Sequence, residues 1–293
     1  MTGNGCSVSH VMDRSYYAAM LRWLAGLLIF LLTVCVVRLV VLRLSGRWLT
    51  GGLWAIALGF VLYMPDIDNS IDTAIRRSPI GLDNVANLAH ILLTLTAWWT
   101  LGVLSLRVLR TAPALEPAIQ RSLSRHARLR RFVQTISDDQ PLEFAVVRIW
   151  TIANGITAVA AIVVWRVSAL PDVAVHDLLQ LHDIGTRVLV AMYGGWAFVG
   201  GVLVVTASVI GLRYAGPPRP ALWVMLGIGS CGIGYSVTAA LALAIAGTEF
   251  LRVHAQTVMG IWAIPGLALL SFSGIPGIVK ALRGRGAPRA AAD

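Results

Sequence analysis

The sequence has few charged residues for its length. Only 13% of its 293 residues are charged, whereas about a quarter of the residues in a soluble globular domain are charged. At the same time, 57% of the residues are hydrophobic. No polar stretch is long enough to form a soluble domain, so the excess apolar surface must lie in lipid. We therefore predict a multi-pass protein of the cell membrane.

Acidic residues are absent from the long apolar runs. The chain has 14 Asp and Glu residues, and all of them lie in tails, loops or loop edges. Ion- and proton-coupled transporters commonly keep a carboxylate inside the membrane, where it binds or relays the ion. The sequence therefore predicts no ion coupling through buried carboxylates. We expect Asp66, Asp68 and Asp72 of the first acidic loop to form part of a solvated acidic rim.

Cysteine and catalytic motifs are scarce as well. The three cysteines, Cys6, Cys35 and Cys231, are odd in number and two lie in apolar runs, which argues against a disulfide framework. No His-Glu-x-x-His zinc motif occurs, and the single lysine, Lys280, lies at the end of the last apolar run rather than deep within it, where retinal proteins need one. We predict neither an enzyme nor a cofactor.

Seven apolar runs can each span the hydrocarbon core, which takes about 20 residues. They are roughly Trp23–Leu42, Trp48–Met64, Val85–Leu106, Val146–Val167, Val188–Ile210, Ala221–Ile245 and Val258–Val279. The predicted fold is an all-α bundle of seven transmembrane helices formed by residues 23–279. An extracellular tail, residues 1–22, precedes it, and a basic cytosolic tail, residues 280–293, follows it.

The loops alternate between basic and acidic. The basic ones contain Arg43 and Arg47, then seven arginines between residues 107 and 145, then Arg213 and Arg219, then Lys280, Arg283, Arg285 and Arg289. The others contain Asp66, Asp68, Asp72 and Asp83, then Asp172, Asp177 and Asp183, then Glu249. Cytosolic loops carry the excess of Lys and Arg. This pattern places the N-terminus outside and the C-terminus in the cytosol.

The longest loop, residues 107–145, has the pattern of a basic amphipathic helix. Its apolar residues Leu129, Phe132, Val133 and Ile136 follow the spacing of one helix face. Its arginines include Arg121, Arg125, Arg128, Arg130 and Arg131. Such a helix lies on the anionic lipids of the inner leaflet. The alternative interpretation is a docking site for a cytosolic protein.

A few polar residues lie within the predicted spans. Asn87 and His90 share one face of the third span, and Asn154 lies near the middle of the fourth. These three are the candidates for lining a solute path, and the alternative is hydrogen bonding between helices. We expect Arg38, Arg148 and Arg166, which lie near span ends, to extend to the headgroups.

Two further patterns concern metal binding and helix packing. His176 and Asp183 are weak candidates for a metal site in an outer loop, since they would align on a helix; we predict a solvated rim there instead. The glycines of the fifth and sixth spans predict close helix packing. They are Gly194, Gly195, Gly200, Gly201, Gly227, Gly229 and Gly232.

One stretch resembles a known family. Residues 55–65, the acidic loop after them and the segment from Gly81 to His90 are similar to the start of actinobacterial integral membrane proteins catalogued as candidate transporters. In that family a short span leads to a Gly-x-x-Asn-Leu-Ala motif at the start of the third helix; here Asn84 and Asn87-Leu88-Ala89 match it. The resemblance implies seven helices. Family members continue into a cytosolic C-terminal domain; we expect none here, because only the tail of residues 280–293 follows the last apolar run.

Two hypotheses of function remain. The first is a small-solute transporter or channel-like protein without ion coupling. The second is a non-transporting signalling or regulatory protein that binds a partner through its arginine-rich loop, or a membrane protein encoded by a phage. Nucleic acid is not an expected partner, because the net charge of +10 lies in short clusters between apolar runs. The oligomeric state is left open.

Overall fold

The computed structural model describes residues 7–42, 47–79, 81–110, 142–172, 184–214 and 219–286. Its helices are α1 (Ser7–Leu42), α2 (Arg47–Leu62), α3 (Pro65–Arg76), α4 (Val85–Arg110), α5 (Leu142–Val167), α6 (Ile184–Tyr214) and α7 (Arg219–Gly286). A 3₁₀ turn spans Leu170–Asp172. None of the described residues lies in a strand, which confirms the all-α fold.

Several of these helices are long and apolar enough to cross a membrane. By length and composition there are five such segments, in α1, α4, α5, α6 and the first part of α7. A sixth is present if α2 and α3 together form one broken span. The later part of α7 contains a shorter apolar segment, Gly260–Pro276. The described residues thus have the character of a multi-pass membrane protein.

A sharp bend of 78° separates α2 from α3. Pro65 is the first residue of α3 and has no N–H to donate to a preceding turn. Proline also disfavours helical dihedrals in the residue before it, and Met64 is extended, with φ −68° and ψ 127°. The chain therefore leaves α2 at Leu62 and starts a new helix in another direction.

Helix α7 doubles back on itself. Helical hydrogen bonding is continuous over its 68 residues, yet the indole Nε1 of Trp262 donates to Oγ1 of Thr238 at 3.1 Å. Gly227 faces Leu269 in the same antiparallel order. In a straight helix, residues 24 apart would be about 36 Å from each other. The two halves of α7 therefore lie side by side, and the chain reverses direction between them.

Helix α4 occupies the centre of the bundle. It packs against α2, α3, α5 and α6, while α1 packs on α2 and α7, and α6 packs on α7. The core between α1, α2 and α7 contains the fully buried Leu31, Leu53 and Leu267. Helix α5 lies at the edge and exposes Ile156, at 64%, and other apolar side chains. Such a surface belongs in lipid.

Close approach of α6 and α7 depends on glycine. A Cβ atom on Gly201 would lie 2.7 Å from the carbonyl oxygen of Gly229, and one on Gly229 would lie 2.8 Å from that of Gly201. The predicted glycine packing is confirmed at these positions. At Gly194 and Gly195 an added Cβ would meet no atom of the described residues within 4 Å, although the Ser236 hydroxyl of α7 donates to the Gly194 carbonyl at 2.8 Å.

Two further sequence predictions concern the N-terminal tail and the long loop after α4. Helix α1 begins at Ser7, well before Trp23, so part of the predicted tail continues the first helix. The predicted amphipathic helix with Arg121, Arg125, Arg128, Arg130 and Arg131 falls in residues 111–141, outside the described residues.

Candidate functional site

Helix α3 folds over the N-terminus of α4. The Asp72 carboxylate accepts the backbone N–H of Asn84 at 3.0 Å and that of Ala86 at 3.3 Å. The first N–H groups of a helix have no partner within the helix and attract negative charge. Asp72 is only 8% exposed. Its carboxylate therefore caps α4 from a different helix.

Asn84 joins the same end of α4 to the 3₁₀ turn after α5. Its side-chain Nδ2 donates to the Leu170 carbonyl at 2.7 Å, while its Oδ1 accepts from Nδ2 of Asn87 at 3.3 Å. Asn84 has φ 56° and is fully buried. Asparagine is among the few residues other than glycine that adopt this left-handed conformation readily. The backbone of Asp83 adds a bond to the Pro171 carbonyl at 3.0 Å.

These side chains form what we call the polar cluster: Asp68, Asp72, Asp83, Asn84, Asn87 and His90, each less than 9% exposed. Arg76 closes its edge by donating from Nε to Asp83 Oδ1 at 2.6 Å. The prediction of a solvated acidic rim is wrong for Asp68 and Asp72. The bend at Pro65 turns the face of α3 that carries them onto α4, which buries both carboxylates.

His90 lies at the inner end of the polar cluster. Its Nδ1 is 2.7 Å from the Gly59 carbonyl oxygen of α2. Because a carbonyl only accepts, Nδ1 carries the proton. The ring is surrounded by Phe60, Tyr63 and Tyr193, with centroids 6.2, 5.2 and 5.9 Å away. Asp68 lies within electrostatic reach of this ring.

A cavity of about 100 Å³ begins next to these aromatic rings. Residues of α2, α4, α6 and both halves of α7 line it. Five aromatic side chains line it, namely Phe60, Trp98, Tyr193, Tyr235 and Trp262. Phe60 and Tyr193 belong to both the His90 environment and the cavity wall. We call this space the aromatic cavity.

A second, larger cavity lies towards the C-terminal end of α4. Its volume is about 390 Å³, and Leu101 and Ile228 line both cavities. Its other lining residues are mostly apolar. Arg107 lines this cavity as well, with its guanidinium stacked 5.4 Å from the Trp48 ring centroid. The two cavities are therefore neighbours within the bundle and share two aliphatic lining residues.

The predicted path residues do not all come together. Asn87 and His90 lie in the polar cluster, in agreement with their spacing, and His90 forms the interhelical bond that is the alternative to a path role. Asn154 lies on α5 and is not among the described residues that line the aromatic cavity. Its Oδ1 has no hydrogen-bond partner among the described residues.

Arg38 does not extend to the headgroups as expected. It is 3% exposed, with Nε donating to Thr50 Oγ1 at 3.2 Å and Nη1 to the Gly274 carbonyl at 2.7 Å. Side-chain acceptors and carbonyls on α2 and α7 thus hold it inside the bundle. The weak metal candidates His176 and Asp183 lie outside the described residues, and within the described ones no three ligands of a metal site gather.

Sequence reasoning missed most of the cavity wall. On α4, Asn87, His90, Thr94, Trp98 and Leu101 follow helical spacing on one face, so that face could have been extended from the two residues predicted. Tyr193, Tyr235 and Trp262 carry no comparable signal, because aromatic residues occur in most of the spans.

No family model, no curated protein and no solved structure matches the chain.

Proposed function

We propose that this chain is a seven-span membrane protein that admits a small solute from outside the cell and passes it along the two cavities towards the cytosol. The seven spans are α1, α2, α4, α5, α6 and the two halves of α7, with α3 lying across the outer end of the bundle. The arginine-rich loops face the cytosol, so the polar cluster faces outside.

The fold-back of α7 supports this topology. The second half of α7 runs parallel to α1, since Gly260 faces Met20 and Gly274 faces Val34. Its first half is antiparallel to α6, since Gly201 meets Gly229 and Gly211 meets Leu222. Successive spans then alternate in direction, as a seven-span chain requires when its termini are on opposite sides.

One observation carries the transport proposal. His90 belongs to the polar cluster, within electrostatic reach of Asp68, and its ring packs against two residues of the aromatic cavity wall, Phe60 and Tyr193. A solute that reaches the polar cluster is therefore a single side-chain layer away from the bundle interior. Among the described residues, none that lines the aromatic cavity is a carboxylate, so the proposal includes no ion-coupling step.

Two native cysteines, Cys231 and Cys35, can report whether a solute reaches the aromatic cavity. Cys231 lines the aromatic cavity, whereas Cys35 is fully buried between helices. In a Cys6→Ser variant, a small membrane-impermeant methanethiosulfonate reagent should modify Cys231 and leave Cys35 unmodified. We expect this from outside in intact cells and from the cytosolic face in inverted vesicles, with mass spectrometry of the purified protein as the readout.

The control is the same variant with Cys231→Ser, in which labelling should disappear. A His90→Trp variant should slow labelling from outside, because a larger side chain narrows the route. If Cys231 reacts from the outer face alone, the cavity is a binding site and the transport step is wrong. If it reacts from neither face, the route itself is wrong.

A further inference from the structure

The lining of the aromatic cavity is rich in aromatic rings and, among the described residues, contains no charged side chain. Its five aromatic rings come from α2, α4, α6 and both halves of α7. Tyr193 and Tyr235 are oriented edge to face at 5.9 Å. In the part of the chain that the structure describes, no Asp, Glu, Lys or Arg lines this space. A ligand there contacts π-systems from several directions and meets no formal charge in this lining.

The volume limits the ligand to a compact group. An apolar protein cavity of about 150 Å³ holds one benzene, with six heavy atoms. A cavity of about 100 Å³ therefore accommodates about four heavy atoms on the same scale. A trimethylammonium group, with one nitrogen and three methyl carbons, has this size, and the rest of such a molecule would extend towards His90.

The chemistry of the lining selects among compact groups. A neutral apolar solute gains little here, because lipid tails are as apolar as the cavity wall. An anion finds no cation in the described lining. An organic cation is attracted by the negative faces of the rings, and this attraction is stronger away from water. It also loses less hydration than a metal ion would.

Charge on the outer side favours the same class. Between Pro65 and Asn84 the chain has four carboxylates, Asp66, Asp68, Asp72 and Asp83, against two arginines, Arg76 and Arg77. Arg76 is paired with Asp83. The region in front of His90 is therefore net negative, and a negative entrance raises the local concentration of cations.

We propose that the aromatic cavity binds a small organic cation of the methylated ammonium class, held by cation–π contacts with Tyr193, Tyr235 and Trp262 among others. The inference rests on the proposed function, because the route past His90 is what brings a ligand to the cavity. It adds the substrate class to that function.

The test compares choline with its neutral isostere, 3,3-dimethylbutan-1-ol, on the purified full-length protein. Binding is measured by calorimetry and by the fluorescence of the tryptophans. The two molecules have the same shape and differ in one charge. We expect choline to bind at least about tenfold more tightly than the alcohol. Equal binding of the two, or no binding of choline, would overturn the proposal.

Variants on α6 separate the ring from its hydroxyl. Tyr193→Phe keeps the π-face and should bind choline as the unmodified protein does, whereas Tyr193→Leu should weaken binding about tenfold. Phe198→Leu is the matched control, because Phe198 is an exposed aromatic residue of the same helix, and its loss should leave binding unchanged. Equal loss in Tyr193→Phe and Tyr193→Leu would contradict a cation–π contact.

The same reagents distinguish this inference from the proposed function. Choline should protect Cys231 from the thiol reagent, and the alcohol should not. If Cys231 is labelled from both faces but choline neither binds nor protects, the route stands and the cation is the wrong ligand. If Cys231 is labelled from neither face, the proposed route is wrong, and the cation proposal, which rests on that route, is wrong with it.

Discussion

Asp72 is the residue that fixes α3 on α4. Its two oxygens accept backbone N–H groups at the first turn of α4, in a buried position where water does not replace them. Hydrogen bonds to a charged group contribute about 1.5–3 kcal/mol each. Because the bond to Ala86 is long, at 3.3 Å, the pair contributes less than twice that amount. We predict that Asp72→Ala lowers the free energy of unfolding by about 2–4 kcal/mol. The measurement is the apparent melting temperature in detergent.

The matched control lies on the same helix. Asp66 is exposed in the first turn of α3, where a carboxylate contributes less than about 1 kcal/mol through the helix dipole. Asp66→Ala should therefore lower the melting temperature much less than Asp72→Ala does. Similar effects of the two substitutions would show that the carboxylate of Asp72 does not cap α4.

At the scale of residues, the sequence predicts which side chains share a helix face better than it predicts which groups on other helices they bond to. The spacing of Asn87 and His90 places both on one helix face, and the structure finds both in the polar cluster. The partners of His90 and Asp72 lie on other helices, at Gly59 and Asn84. Helical periodicity describes a single helix, so it contains no information on which backbone group of another helix will approach.

At the scale of elements, the close approach of α6 to α7 depends on which glycines of α6 would direct a side chain at α7. Gly201 and Gly194 both lie in the interior of α6 and both approach α7, but only at Gly201 would an added Cβ meet the backbone of α7. We predict that Gly201→Ala destabilises the protein by about 1–3 kcal/mol, since the added methyl group forces the helices apart. Gly194→Ala should stabilise it by about 0.5–1 kcal/mol, because alanine is the better helix former.

Thermal unfolding of the two variants, in the same detergent, measures this contrast. The two substitutions are chemically identical, so a difference in sign isolates the contact with Gly229. Destabilisation of similar size in both variants would mean that α6 and α7 are not in close contact at Gly201.

Helix α3 is the element that the sequence does not predict. Residues 65–76 have a low apolar content, which favours an acidic loop. A proline after an apolar run is visible, and so is the amphipathic spacing of Ile67, Ile71 and Ile75. Short surface helices of this kind are stabilised by the surface on which they pack. That surface, the N-terminus of α4, is known only from the fold.

At the scale of the whole molecule, apolar runs predict where helices form and do not predict how they associate. Each predicted span overlaps a described helical segment, because lipid leaves no other way to satisfy the backbone. The central place of α4 and the cavities around it result from side-chain shape. Glycine and tryptophan pairs such as Gly200 and Trp98 illustrate this, since the indole occupies the space that a Cβ would need.

The reversal within α7 can be tested by a cross-link. A Cβ atom on Gly266 would lie 3.6 Å from the Cβ of Cys231, within the range of about 3.5–4.5 Å found in disulfides. We predict that Gly266→Cys, with Cys6 and Cys35 replaced by serine, forms a disulfide with Cys231 on mild oxidation. A protease site inserted near residue 250 makes the bond visible, since the two fragments then stay joined on a non-reducing gel and separate after reduction.

Gly260→Cys in the same background is the control, because Gly260 faces Met20 of α1, and its fragments should separate without reduction. A single straight α7 would hold residues 231 and 266 about 50 Å apart, so the absence of the Gly266→Cys cross-link would contradict the side-by-side arrangement on which both the seven-span topology and the aromatic cavity depend.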